Sequence, residues 1–252
     1  MKLVSTIIVA CSAAAAFAAE PLWKLNGITS VVNKRVVAAE SDGSLKAKFN
    51  CWIVGKTHVP VDSSKRYRIS CEVKGAGQVR VGVTAFDKDK RPISIVSVLA
   101  VKGSETELTA PLKKGDTVIK VKDTSKWNPK IPTCIVFDAD PSGEMKDIPN
   151  IDLFPGRIKG ITANEILLAA PSKIELPAGT VIRQHRDSRR AIFSRNQKIS
   201  ADWKTYQFII IPGLTLDGSN SNKFYPGVAF VAPLVVTPKG ALVRNLQIEV
   251  ME

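Results

Sequence analysis

Alternation of apolar and polar residues with a period of two dominates the chain beyond its N-terminal apolar run. The stretches Ala47–Ile53 and Tyr67–Val73 show it most clearly. This period is typical of strands with one buried face, whereas an amphipathic helix repeats its apolar residues every three to four positions. The pattern predicts strands at 44–54, 65–74, 78–86, 92–101, 117–122, 133–137, 157–161, 165–169, 180–185, 206–211, 227–236 and 241–251.

Turn-forming residues separate these strands, for example at 74–77, 87–90, 216–218 and 238–240. Glycine, aspartate and proline favour turns because they tolerate or impose the required backbone angles. No segment of a dozen residues has the spacing of an amphipathic helix. Many short strands at this interval predict an all-β fold, either a sandwich or a barrel.

The middle of the chain, residues 104–187, differs from its flanks because its predicted strands are shorter and its prolines denser. We interpret it as a small inserted β-module. Residues 19–103 and 188–252 would then combine into one β-sandwich, since about five strands before the insertion and about three after it are needed for a closed two-sheet core.

Residues 1–18 have the features of a secretory signal peptide: Lys2, a short apolar run and an Ala16-Phe17-Ala18 cleavage site. The run is too short to span a bilayer. In an alternative interpretation, Ile8–Cys11 is a lipoprotein box and Cys11 is acylated. We therefore expect a secreted or periplasmic protein without a transmembrane segment.

The formal net charge of +13 attracts anionic polymers and surfaces non-specifically, although solubility alone also explains such a charge.

Three cysteines follow the expected signal peptide: Cys51, Cys71 and Cys134. Alternation places Cys51 and Cys71 on inward faces, together with Phe49, and a hairpin between their strands would set them nearly opposite one another. They form either a disulfide, with Cys134 left free, or two packed core thiols.

Several segments in the flanks resemble the galactose-binding-like jelly rolls, a group that includes many carbohydrate-binding modules of secreted glycoside hydrolases. The resemblance does not extend to residues 104–187. It implies a jelly-roll β-sandwich that binds sugars on a concave sheet face or in edge loops, often with a structural calcium ion. The segments that carry it are Trp52, Tyr67–Lys74, Gln78–Val83 with Phe86-Asp87, Trp203–Tyr206 and Leu246–Val250.

Trp52 has the opposite parity to its inward neighbours, so its indole is expected to project outward beside Asn50. Arg80 and Thr84 alternate in the same way with apolar valines on a later strand. Sugar rings stack their C–H faces on indole rings, and polar side chains hydrogen-bond the hydroxyls. These four residues are our candidate ligand site. The alternative is that Trp52 is covered by the insertion or by the other sheet.

A basic run, 183–190, lies where the insertion rejoins the flank. Arg183, His185 and Arg186 are candidates for gripping an acidic glycan, because guanidinium forks match sulfate and carboxylate groups. The run is otherwise explained as solvated surface. It lacks interleaved aromatic residues, so nucleic acid is not an expected partner.

Asp138, Asp140 and Ser142 reproduce the opening of a calcium-binding loop, but Pro149 stands where the bidentate glutamate belongs. A polar turn is the alternative explanation.

The two histidines, His58 and His185, belong to no catalytic motif that we identify. We therefore expect a secreted, non-catalytic carbohydrate-binding protein without a cofactor, apart from this candidate calcium. A structural or adhesive envelope protein and a glycoside hydrolase are the alternatives.

Overall fold

The computed structural model describes residues 20–188, 191–216 and 222–251. The expected signal peptide, the lipoprotein-box alternative and two arginines of the basic run, at 189 and 190, lie outside the described residues. No helix within the described ranges is long and apolar enough to cross a membrane.

The described chain is all-β, as the alternation predicts. Before residue 104 the strands are β1 (Trp23–Lys24), β2 (Val37–Ala39), β3 (Leu45–Ala47), β4 (Cys51–Val54), β5 (Val59–Pro60), β6 (Arg66–Lys74), β7 (Gln78–Phe86) and β8 (Pro92–Ile93). Between residues 104 and 187 they are β9 (Thr106–Glu107), β10 (Val118–Lys120), β11 (Thr133–Phe137), β12 (Ile158–Ile161), β13 (Glu165–Leu168) and β14 (Val181–Arg186). The last strands are β15 (Ile192–Phe193), β16 (Gln197–Lys198), β17 (Lys204–Ile210), β18 (Phe230–Thr237) and β19 (Leu242–Met251).

Short 3₁₀ helices lie between some of these strands, at Ile28–Ser30, Lys34–Val36 and Ile95–Ser97. The last of them contradicts the strand predicted at 92–101, which ends at Ile93. Ser94 and Ser97 form a reciprocal capping box there. Because each serine side chain bonds the other residue's backbone, the turn satisfies local hydrogen bonds that a strand would leave open.

Two antiparallel sheets form a β-sandwich. The first sheet has the order β17-β6-β19-β3-β2, with β1 also paired to β19. The second has the order β15-β7-β18-β4, with β5 on β18 and with β8 and β16 on β7. Each sheet joins strands from before residue 104 to strands from after residue 187.

The apolar core lies between the two sheets. Ile69 and Val73 of the first sheet and Val79 and Val83 of the second are fully buried in one cluster. Phe49, expected to point inward, is instead 60% exposed. The chain bends at 48–50 between β3 and β4, so the alternation that holds within a strand does not continue across the break.

The predicted hairpin between the Cys51 and Cys71 strands is wrong. β4 pairs with β18 in the second sheet, whereas β6 pairs with β17 and β19 in the first, so the two cysteines belong to opposite sheets. Cys51 and Cys71 both carry free thiols. Burial raises the pKa of the Cys71 thiol to about 12, as expected of a thiol packed in an apolar core.

The inserted segment, residues 104–187, forms two three-stranded sheets, β10-β13-β12 and β11-β14-β9. They enclose a second apolar core that contains Trp127 and Ile166. Ile148, Ile151 and Leu153 of the same segment pack against the core of the sandwich. The segment therefore has a core of its own and is also anchored on the larger one.

Candidate functional site

Strand register brings Trp52 and Arg80 to the same side of the second sheet. Trp52 pairs with Val236 of β18, and Val236 pairs in turn with Arg80 of β7. Directly paired residues project from the same face, so the three side chains form a row on the outer face. At the usual strand spacing, the backbones of Trp52 and Arg80 lie about 10 Å apart, with Val236 between them.

Phe193 of β15 fixes both ends of this row. Its ring meets the Trp52 indole edge-on, with centroids 6.2 Å apart and an interplanar angle of 89°. The Arg80 guanidinium carbon lies 4.3 Å from the centroid of the same ring. Edge-to-face aromatic and cation–π contacts are both attractive, and Phe193 is itself buried. The tryptophan and the arginine are therefore held in place before any ligand arrives.

Gly82 makes the position of Phe193 possible. It pairs directly with Phe193, and a Cβ atom on Gly82 would lie 2.5 Å from the Phe193 Cβ and closer still to the Ile192 carbonyl oxygen. Only a residue without a side chain lets β15 approach β7 this closely. Sequence reasoning missed Phe193, and the glycine in the middle of an alternating strand was the signal that could have revealed a close backbone approach.

Polar side chains lie next to the row of Trp52, Val236 and Arg80. The amides of Asn50, Gln78 and Asn196 contribute to an open groove of about 390 Å³, whose wall includes Trp52 and Arg80. The Asn50 side-chain oxygen accepts a hydrogen bond of 3.0 Å from the Lys239 backbone amide, which links two loops at the rim. The groove is within the size range of small-molecule binding sites. Its lining residues are Asn50, Cys51, Trp52, Gln78, Arg80, Asn196, Val236, Thr237 and Pro238.

The structure thus places three of the four residues of the candidate ligand site together. Trp52 is 39% exposed, so neither the insertion nor the other sheet covers it. Thr84 does not line the groove. It lies beyond the row of Gly82 and Phe193, and its hydroxyl donates to the Ala232 carbonyl at 3.4 Å.

The basic run begins within β14, and the predicted ligand-binding role of Arg183 and His185 is wrong. Both residues lie on β14 and are fully buried. The Arg183 guanidinium donates two hydrogen bonds to the Asp147 carboxylate, at 2.9 and 2.7 Å, and its Nε donates to His185 Nε2 at 3.1 Å. Side chains occupied in this way are inaccessible to a polysaccharide. Arg186, by contrast, is exposed at the end of the strand.

Hydrogen bonding defines the tautomer of His185. Arginine only donates, so Nε2 accepts and the Nδ1 proton is donated to the Val96 carbonyl 2.5 Å away. Burial lowers the pKa of His185 to about 4. Burial by itself raises the pKa of Asp147, but the hydrogen bonds from Arg183 and Asn150 outweigh it and the net shift is downward. The ion pair and the neutral imidazole form one buried polar cluster.

The candidate calcium residues form a self-contained turn. The Asp140 carboxylate accepts hydrogen bonds from the Ser142 amide and hydroxyl and from the Lys146 amide, at 2.8 to 3.0 Å. The Lys146 and Ser142 amides lower the pKa of Asp140 to about 2. Asp138 is exposed, with a positive φ of 54°. Within the described ranges, no group of three or more His, Cys, Asp or Glu side chains is arranged to hold a metal ion.

A second open cavity, of about 480 Å³, lies in the inserted segment. Lys113, Asp116 and Lys120 contribute to its lining, which contains no aromatic side chain. It therefore lacks the stacking surface that distinguishes the groove on the second sheet.

Comparison with known proteins identifies no relative of this chain. No protein-family model, no curated protein and no solved structure matches it.

Proposed function

We propose that this chain is a non-catalytic glycan-binding protein that acts in the periplasm or outside the cell, with its ligand in the groove of Trp52. The observation that carries the proposal is the exposed indole of Trp52, braced by the buried ring of Phe193 and flanked by amide side chains. A sugar needs an aromatic surface for its C–H face and polar groups for its hydroxyls.

The amide side chains in the groove can hydrogen-bond the hydroxyl groups of a sugar. Gln78 and Asn196 are exposed at the rim, and each offers both donors and acceptors, as a ring bearing several hydroxyl groups needs. Because Trp52 is already braced, binding orders few side chains and loses little conformational entropy. A stacking surface that is already ordered therefore favours saccharide binding.

Hydrolysis is less well supported at this groove. A glycosidase needs two carboxyl groups on opposite sides of the scissile bond, and the described residues that line the groove include no carboxylate. An adhesive envelope protein predicts an apolar patch on the inserted segment. The large hydrophobic side chains that are exposed in the described chain lie outside residues 104–187: Leu22, Val32, Phe49, Trp52, Leu214 and Leu216.

Titration of soluble polysaccharides by isothermal calorimetry tests the proposal. Trp52→Ala should weaken binding by about 1 to 3 kcal/mol, which is roughly five- to 150-fold in Kd, because a central aromatic anchor is lost. The matched control is Trp203→Ala. Trp203 is half-buried under the Arg244 guanidinium, 4.1 Å from its ring, and does not line the groove.

Trp203→Ala should bind as the wild type does. Circular dichroism and thermal melting of both variants establish that the sandwich is intact. Equal affinities of wild type and folded Trp52→Ala for every polysaccharide that binds would remove the groove as the binding site.

A further inference from the structure

Positive charge is distributed unevenly between the two parts of the chain. Residues 104–187 contain twelve basic and twelve acidic side chains. Residues 20–103 and 188–252 together contain 23 basic and eleven acidic ones, a net charge of +12. The inserted segment is thus neutral, and the excess charge belongs to the sandwich that carries the groove.

Part of this excess surrounds the groove. Lys198 pairs directly with Gln78, so its side chain projects from the same outer face as Gln78 and Arg80. Lys239 comes directly after Pro238, which lines the groove, and its backbone amide donates a hydrogen bond to the Asn50 side chain. Lys198 and Lys239 are both exposed.

Two more exposed basic residues adjoin the lining in sequence. Lys48 lies two positions before Asn50, and Arg195 immediately precedes Asn196. The loops at this end of the sandwich, 48–50, 75–77, 194–203 and 238–240, contain a single acidic residue, Asp202. We call Arg80, Lys198, Lys239, Lys48 and Arg195 the basic rim.

The turn after β7, at the opposite end of the sandwich, provides acidic partners for two of its basic residues. In the turn after β7, Lys88 pairs with Asp89 at 3.1 Å and Arg91 pairs with Asp87 at 2.8 Å. None of the salt bridges between described residues involves Lys48, Arg195, Lys198 or Lys239. Lys48, Arg195, Lys198 and Lys239 thus form a group of exposed positive charges next to the groove, with no described carboxylate within salt-bridge distance.

We infer that the ligand of the groove is an anionic polysaccharide, in which Trp52 stacks on a sugar ring while the basic rim holds the sulfate or carboxylate groups of the same and adjacent rings. The inference rests on the proposed function of the groove. The backbones of Arg80 and Trp52 lie about 10 Å apart on the outer face, so both side chains are available to one bound saccharide chain. Its planar fork matches the oxygens of a sulfate or a carboxylate.

Matched polymer pairs separate charge from sugar identity. We would titrate dextran sulfate against dextran, and polygalacturonate against its carboxyl-reduced form, at 0.05 and 0.3 M NaCl. The wild type should bind at least one charged polymer about tenfold more tightly than its neutral partner. This preference should shrink at the higher salt concentration, because exposed charges are screened within about 10 Å at 0.1 M salt.

Two double variants with the same change in net charge test where the attraction acts. Lys198→Gln with Lys239→Gln should weaken binding of the preferred charged polymer about three- to tenfold and leave the neutral partner unaffected. The control is Lys65→Gln with Lys90→Gln, both exposed in turns at the opposite end of the sandwich. It should bind as the wild type does.

Equal losses in the two double variants would mean that net charge alone attracts polyanions, and would overturn the inference. Equal affinity for charged and neutral partners, with Trp52→Ala still impaired, would overturn it and leave the proposed function standing. Polyanion binding that is unchanged in Trp52→Ala would overturn both.

Discussion

At the scale of single residues, Gly82 controls the groove without lining it. Its missing side chain admits β15 against β7 and so places Phe193 between Trp52 and Arg80. An added methyl group would overlap the Ile192 carbonyl and the Phe193 Cβ, and both belong to a paired strand with little freedom to move.

Gly82→Ala should therefore destabilise the protein by about 1 to 3 kcal/mol, the usual cost of overpacking a filled site. It should also weaken glycan binding, since displaced Phe193 no longer braces Trp52. Urea denaturation measures the first effect and calorimetric titration the second.

The matched control is Gly160→Ala. Gly160 also lies within a strand, but a Cβ atom there would meet only a Leu167 methyl group at 3.5 Å, an ordinary contact. This variant should bind as the wild type does and lose little stability. If Gly82→Ala were as stable as Gly160→Ala, the close approach of β15 would not be a constraint on the sequence.

At the scale of elements, β14 carries three consecutive buried polar side chains, Arg183, Gln184 and His185. Burying such groups is costly unless they are hydrogen-bonded, and here each one is. The Gln184 amide donates to the Asn128 carbonyl at 2.8 Å and to the Thr133 hydroxyl at 2.7 Å. The strand thus ties separate loops of the inserted segment together through polar contacts.

The buried imidazole of His185 should make stability depend on pH. Its pKa is lowered from 6.5 to about 4 in the folded protein, so the unfolded chain binds a proton in this window that the folded chain does not. The contribution of His185 to the free energy of unfolding is therefore fully present above about pH 6.5. It declines as the pH falls toward 4, by about 3 kcal/mol in all. Asp147, whose pKa is also lowered, adds a loss below its ordinary value of 3.8.

Urea denaturation at pH 7, 5.5 and 4.5 measures this decline. His185→Gln should be less stable at pH 7 but should lose less of its stability on acidification. An unchanged slope in His185→Gln would show that other groups produce the acid sensitivity.

At the scale of the whole molecule, the inserted segment and the sandwich share a buried boundary. Ile148, Ile151 and Leu153 pack on the sandwich core. The end of β14 also bonds to the chain that precedes the insertion, through the amides of Val101 and Arg186. Unfolding the segment alone would expose apolar surface on both sides.

The two parts should therefore unfold as one cooperative unit. Hydrogen exchange followed by mass spectrometry at increasing urea concentration should give the same opening free energy for the slowest amides of β13, in the segment, and of β6, in the sandwich. Earlier exchange in β13, at urea concentrations that leave β6 protected, would show that the segment opens independently. Amides of exposed turns provide the reference for unprotected exchange.

Local pattern determined much of this structure. Period-two alternation predicted an all-β chain, and parity along β4 and β7 placed Trp52 and Arg80 on one face, because neighbouring side chains on a strand must point to opposite sides. The jelly-roll resemblance and the glycan ligand stay predictions. The alternation also assigned Cys51 and Cys71 correctly to inward positions, where both are buried.

Pairing between distant strands was decided only by the tertiary structure. Alternation describes one strand and carries no information on its neighbour, so the hairpin that would have joined Cys51 to Cys71 was wrong. The contact of Phe193 with Trp52 spans 141 positions for the same reason. The polar side chains of Arg183 and His185 indicate a solvated surface because such residues are usually exposed. They are buried because the fold supplies partners, Asp147 and the Val96 carbonyl, that no local pattern reveals.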